Sequence, residues 1–224
     1  MPPDNTLAIT CAGQTIWLLP SRSLFWPARR TLVVADTHIG KEATFQAQGI
    51  SLPNGQTQTD LARLSAVLED TRAQRLIVAG DFLHAEDGLS PAIRSAVRRW
   101  SERHRSIEKI VIRGNHDRGI DLDELVPEAQ LLDEPLTDAP FTFQHYPDKP
   151  SDQFVIAGHL HPGLRFELRG RDRLRLPCFW VREERLVLPA FSTFTGLADV
   201  DALVGRHALV ADGQVLWAPA TSPG

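Results

Sequence analysis

Asp36 and His38 stand two residues apart, as do His159 and His161, and between these pairs lie Gly80-Asp81 and Gly114-Asn115-His116-Asp117. Imidazole nitrogens mixed with carboxylate and amide oxygens suit borderline divalent metals such as Mn, Fe, Co, Ni or Zn, whereas Ca and Mg take all-oxygen shells. In an extended strand alternate side chains share a face, so this spacing can aim two side chains at one point. AGHLHPG (157–163) alone does not establish that, because an HxH beside Gly and Pro is more often a turn. Repetition changes the reading. VVADTH (33–38), IVAGD (77–81), IVIRGNHD (110–117) and VIAGHLH (155–161) each run from apolar residues into ligand-competent ones. His145 closes FTFQH in the same way, and His84 lies just beyond Asp81.

The C-terminal ends of strands in an open α/β sheet gather at one rim, where ligands bind. The donors Asp36, His38, Asp81, Asn115, His145, His159 and His161 are too many for one tetrahedral ion. Two ions sharing a carboxylate fit better. Such pairs sit about 3.5–4 Å apart, lower the pKa of a water between them and clamp the attacking and leaving oxygens of a phosphoryl transfer. HIGKEA is not a phosphate-binding loop, because the Gly required five residues before Gly40 is Ala35. His104, on the apolar stripe of a helix, and His207, with no visible partner, read as packing residues. Arg118 follows a turn motif and reads as solvated.

The elements that must position these residues follow from periodicity. TLAIT (6–10) and TIWLL (15–19) flank a turn and form a hairpin. TLVVAD (31–36), RLIVAGD (75–81) and KIVIRGNHD (109–117) are continuous apolar strands. Between them, 57–70 places Leu61, Leu64 and Leu68 at helical spacing, and 90–104 places Ile93, Val97 and Trp100 likewise. Ser90 is the expected N-cap and Pro91 the first helical residue. The second half is strands without long helices: 130–136, 141–145, 153–159, a hairpin over 164–183 around RGRD, 185–189 and a hairpin over 208–219. A parallel first half and a more antiparallel second half imply an α/β fold of two sheets packed face to face with helices outside.

One domain spanning 1–224 is expected, since neither an internal repeat nor a linker interrupts the chain. No apolar stretch approaches the roughly 20 residues of a membrane span. The N-terminus lacks a signal-peptide pattern, so a cytoplasmic protein with no membrane partner is expected. Cys11 and Cys178 have no metal-ligand spacing and read as reduced, buried thiols. The net charge of −4 gives no general attraction to nucleic acid. Among the 24 basic residues, however, only Lys41, Lys109 and Lys149 are lysine, and arginine is the better residue for forked phosphate contacts.

D-x-H at 36–38, G-D at 80–81, G-N-H-D at 114–117, His145 and G-H-x-H at 158–161 resemble, in order, the motifs of the calcineurin-like metallophosphoesterases. The resemblance implies a four-layer αββα sandwich of two mixed sheets. It also implies that Asp36, His38 and His161 hold one metal, Asn115, His145 and His159 the other, and Asp81 bridges them. His116 would be the catalytic histidine outside the ligand set, with Asp117 orienting it. DTHIGKEATFQAQGISLPNG (36–55), SLFWPARRTLVVAD (23–36) and GDFLH (80–84) are more specifically similar to the ligase-associated DNA-damage-response endonucleases of bacteria. There His84 would help handle the phosphate, as in the nuclease subunits of double-strand-break repair complexes. One departure is Tyr146-Pro147 after His145, where many relatives have glycine.

The expected function is therefore a phosphodiesterase dependent on two divalent metals, with Mn first. It would be a DNA endonuclease in repair, with in-line attack by hydroxide, and a DNA ligase or helicase system would be its partner by resemblance. Two alternatives remain open at this point: a small-molecule phosphoesterase acting on cyclic nucleotides, pyrophosphates or phosphomonoesters, and a non-catalytic repair scaffold.

Overall fold

The structure is a computed structural model that describes residues 2–50, 55–167 and 173–219. β1 (Leu7–Cys11) and β2 (Gln14–Leu19) form the expected hairpin, and β3 (Ser23–Trp26) continues it antiparallel. β4 (Thr31–Val34), β5 (Arg75–Ala79), β6 (Glu108–Ile112) and β7 (Ala129–Leu132) then run parallel. α1 (Lys41–Ala47) and α2 (Gln56–Thr71) cross from β4 to β5, and α3 (Pro91–Arg103) from β5 to β6. The seven strands form one sheet in sequence order.

The second sheet comprises β8 (Leu136–Asp138), β9 (Phe141–Gln144), β10 (Phe154–Ala157), β11 (Pro162–Glu167), β12 (Arg173–Val181), β13 (Arg185–Val187), β14 (Ala198–Asp199), β15 (Arg206–Ala211) and β16 (Gln214–Trp217). β9, β10 and β13 are mutually parallel, and β8, β12, β15 and β16 pair antiparallel. The single strand expected over 130–136 is two elements. β7 finishes the first sheet and β8 opens the second, because the chain changes sheets around Pro135. The RGRD turn (169–172) lies outside the described residues. The strands that flank it are antiparallel, from Gly163 opposite Pro177 to Glu167 opposite Arg173.

The apolar runs of β4, β5 and β6 are continuous because both faces are buried. Leu32, Val34, Leu76, Val78 and Val111 face a core shared with Leu61, Leu64 and Leu68 of α2 and Ile93, Val97 and Trp100 of α3. Val33, Ile77 and Ile110 face the second sheet, where they join Trp26, Phe141, Phe143, Ile156, Phe179 and Leu186. Ser90 Oγ accepts the Ile93 N–H at 3.4 Å, and Pro91 opens α3 as expected. His104 ends that helix and shares a 2.8 Å hydrogen bond with Ser65 Oγ, which makes it a packing residue. His207 is also buried, its ring parallel to Trp180. On the far face of the second sheet, loop 146–153 covers β9. The buried Gln144 amide donates to the carbonyls of Tyr146 (2.7 Å) and Lys149 (3.0 Å). Among the described residues no helix is long and apolar enough to cross a membrane.

The two sheets meet on an aromatic cluster. Trp26 stands edge-on to Phe141 at 4.9 Å, and Phe143 lies 6.5 Å from Trp26. Phe143 is fully buried. Phe143→Ala should therefore lower unfolding free energy by about 3–5 kcal/mol, read by chemical denaturation.

Candidate metal centre

The parallel strands stop short of the chemistry: β4 ends at Val34, β5 at Ala79, β6 at Ile112 and β10 at Ala157. Beyond them the backbone turns left-handed at five of the seven predicted donors, with φ of 54° at Asp36, 44° at His38, 49° at Asp81, 72° at His159 and 47° at His161. The face-sharing of an extended strand is thus not what brings His159 and His161 together. Each non-glycine residue in this conformation costs about 1–2 kcal/mol, which surrounding bonds must offset. Asp36 N–H donates to Gly80 O (3.0 Å), His38 N–H to Asp81 O (2.9 Å) and Ile39 N–H to Phe82 O (3.0 Å), so the loops after β4 and β5 stay paired.

The predicted donors fall into two groups, and His38 also lies within ligand distance of His84 and His116. Asp36, His38 and His161 converge in one, and Asp81, His145 and His159 in the other. His38 Nε2 lies 3.2 Å from His161 Nε2, and His161 Nε2 lies 3.7 Å from Asp36 Oδ1. In the second group His145 Nε2 is 3.0 Å from His159 Nδ1, 3.0 Å from Asn115 Oδ1 and 3.5 Å from Asp81 Oδ2. Asp81 Oδ2 is also 3.9 Å from His38 Nε2, which places this carboxylate between the groups. All seven donors named from the sequence are therefore brought together.

The donor atoms fit cations. Asp36 Oδ2 accepts the His159 N–H at 2.9 Å, while its Oδ1 is buried without a hydrogen-bond partner. Asp81 Oδ1 accepts the His116 N–H at 2.9 Å, leaving Oδ2 for the cluster. The Ala79 carbonyl, 3.3 Å from His145 Nδ1, places the proton of a neutral ring there, so Nε2 presents a lone pair to the other donors. His38 Nδ1 lies 3.4 Å from His84 Nδ1. A proton donated from His38 across that contact likewise frees His38 Nε2 for a metal. Lone pairs facing one another at such distances are what a shared cation would bring together. That His145 pairs with a backbone carbonyl and His38 with the His84 imidazole has no sequence signal.

The glycines of the motifs make room for donors from other loops. A Cβ on Gly80, whose φ is 92°, would stand 1.9 Å from His145 Nδ1. One on Gly114 would stand 2.0 Å from Asp81 Oδ1. G-D and G-N-H-D are thus spacing devices as well as ligand carriers.

His116 lies beside the first group, 4.9 Å from the His38 ring centroid. Its Nδ1 is 2.8 Å from the His84 carbonyl, and its ring stacks on His84 at 4.6 Å. Asp117 makes no hydrogen bond to the His116 ring, the bond that the expected orienting role would use. Its fully buried carboxylate accepts the backbone N–H groups of Phe82, Leu83 and Gly114 and so ties the loops after β5 and β6 together. The orientation of His116 comes instead from His84, by stacking and through its carbonyl. Tyr146, absent from the sequence-derived set, places its ring 4.7 Å from both His145 and His159.

Burial dominates the titration of these groups. It pushes His145 down to about 4, with His159 adding to that and Asp36 opposing it. Burial also lowers His84 to about 4, aided by Lys41 and His116. His38 is lowered by burial and by His161. These rings are neutral at pH 7, as ligands must be. Asp81 is pushed up to about 7, first by burial, against the His116 N–H bond and with help from Asp36.

Two mixed sheets with histidine and aspartate clusters at their shared rim define a metal-dependent phosphoesterase. The chain belongs to the calcineurin-like phosphoesterase family, whose model matches residues 29–161. It is similar to the Pseudomonas putida nuclease MPE, at 40% identity and a TM-score of 0.81, covering 95% of this chain and 100% of that one. The E. coli phosphoesterase Yfce aligns at 15% identity and a TM-score of 0.46, over 85% of this chain and 99% of that one. No curated protein matches the chain.

Metal binding must displace the Asp81 proton, so affinity should rise with pH up to about 7 and then level. Mn titrations should show about ten-fold weaker binding at pH 6 than at pH 8, and Asp81→Asn should flatten this dependence while weakening binding. Gly114→Ala should drive the new methyl against Asp81 and lower the metal content of folded protein, measured by elemental analysis beside circular dichroism.

Proposed function

We propose that this protein is a nuclease: a two-metal phosphodiesterase that hydrolyses DNA, with manganese as its working ion and DNA repair as its setting. The reading rests above all on one observation, two donor groups joined through Asp81 with the His116 imidazole beside them. The 40% identity to a protein named as a nuclease supports the choice of nucleic acid. The resemblance to ligase-associated endonucleases supports a place beside a DNA ligase or helicase in the cytoplasm.

In this reading Asp36, His38 and His161 would hold one ion and Asn115, His145 and His159 the other, with Asp81 shared between the two groups. Two ions held there would supply Lewis-acid polarisation of the phosphoryl oxygens and an activated water nucleophile near neutral pH. The remaining steps belong to the chain. The His84 carbonyl accepts the Nδ1–H of His116 and so fixes the ring, and in the imidazolium form of that ring the second proton, on Nε2, is the one passed to the departing oxygen, leaving the neutral Nδ1–H ring. The stacked His84 ring keeps that imidazole from rotating and lines the approach of the phosphate. Asp117 keeps the loops carrying Asp81 and His116 in register, which positions the proton donor relative to the metal donors. No covalent nucleophile is needed.

Mn-loaded protein should cleave DNA and bis-p-nitrophenyl phosphate. His116→Ala should lower turnover of both by about 10²–10⁴-fold with metal content unchanged. Asp81→Asn should lose turnover and metal together. Hydrolysis confined to phosphomonoesters would overturn the nuclease reading in favour of a small-molecule enzyme.

A further inference from the structure

Arg118, read from the sequence as solvated, stands on the wall of a cavity of about 160 Å³ that opens beside the second donor group. Gly114 and His145 belong to both the cavity wall and the metal centre, so whatever enters it lies beside the second donor group. The space is smaller than the ~300–1,000 Å³ of a drug-sized pocket and suits a single group. Its charge is cationic. Arg113 is held by Asp133 (3.6 Å) and the Ile120 carbonyl (3.2 Å), which neutralises the acid on that wall. The side chains of Arg118 and Lys149 are exposed and make no ion pair or hydrogen bond among the described residues. The loop carrying Lys149 is nonetheless held in shape, because buried Gln144 donates to the Tyr146 and Lys149 carbonyls.

We propose that this cavity is an anion subsite for the phosphate next to the scissile one on the same polynucleotide strand, held by Arg118 and Lys149. The assignment rests on the nuclease reading and deepens it. Two cations without partners, on a preformed wall that continues into the metal centre, match a substrate that carries charge at regular intervals along its chain. A simple diester such as bis-p-nitrophenyl phosphate has nothing to place there. A strand does. Arginine supplies a planar fork for the phosphate oxygens and lysine a mobile point charge.

The test uses full-length, Mn-loaded wild type and the Arg118→Ala/Lys149→Ala double variant. Inhibition of bis-p-nitrophenyl phosphate hydrolysis is measured with thymidine 3′,5′-bisphosphate, thymidine 5′-monophosphate and inorganic phosphate. The inhibition constant of the bisphosphate should rise about ten-fold in the variant, several-fold more than that of either single-phosphate compound. The oligonucleotide KM should rise in parallel, and its salt dependence should fall by about one to two contacts. Equal changes for all three inhibitors, or none, would overturn the subsite. A wild-type protein that cuts no oligonucleotide would sink the nuclease reading instead, while selectivity for the bisphosphate would still decide the subsite.

Discussion

The carboxylates of Asp36 and Asp81 are each fastened by one oxygen to the backbone of a different ligand loop, and each keeps the other oxygen for the metal centre. Asp36 takes the N–H of His159 and Asp81 that of His116, so residues 123 and 35 positions apart are locked together. These bonds tie the loop after β4 to that after β10 and the loop after β5 to that after β6, beside the backbone and Asp117 bonds that pair β4 with β5 and β5 with β6. With them, two buried carboxylates and several imidazoles face one another with unshared electron pairs. That arrangement is unfavourable in a low-dielectric interior unless a cation resolves it. Metal binding and the geometry of the rim are therefore one problem, and the protein solves them together.

The rest of the fold serves that rim. Parallel pairing of β4 with β5 and of β5 with β6 brings three strand ends level, and β9 and β10 do the same in the facing sheet. The aromatic cluster around Trp26, Phe141 and Phe143 binds the two sheets to each other. The left-handed residues at the rim carry local strain, and the stability of the sandwich absorbs it. The small chemical part of the molecule is rigid because its large apolar part is continuous.

Much of the fold was legible because burial leaves periodic traces. Continuous apolar runs marked β4, β5, β6 and β10, and the stripe of Ile93, Val97 and Trp100 with Ser90 and Pro91 marked α3. The seven-residue α1 left no such trace, being too short to show a period. The segment 130–136 read as one strand because sequence records apolar character and not the sheet to which it contributes.

At the site, residue types and their order named the candidate donors: Asp36, His38, Asp81, Asn115, His145, His159 and His161 stood out because each follows an apolar run and offers a metal-competent atom. Only the tertiary structure decided how they meet. The spacing of His159 and His161 suggested alternation along a strand, but both residues are left-handed and lie beyond β10. Sequence adjacency tied Asp117 to His116, whereas folding gave Asp117 to three backbone amides and gave His116 to His84. The reason is physical. Side-chain chemistry is written residue by residue, but hydrogen-bond partners, tautomers and burial are properties of neighbours that the chain brings together only when it folds.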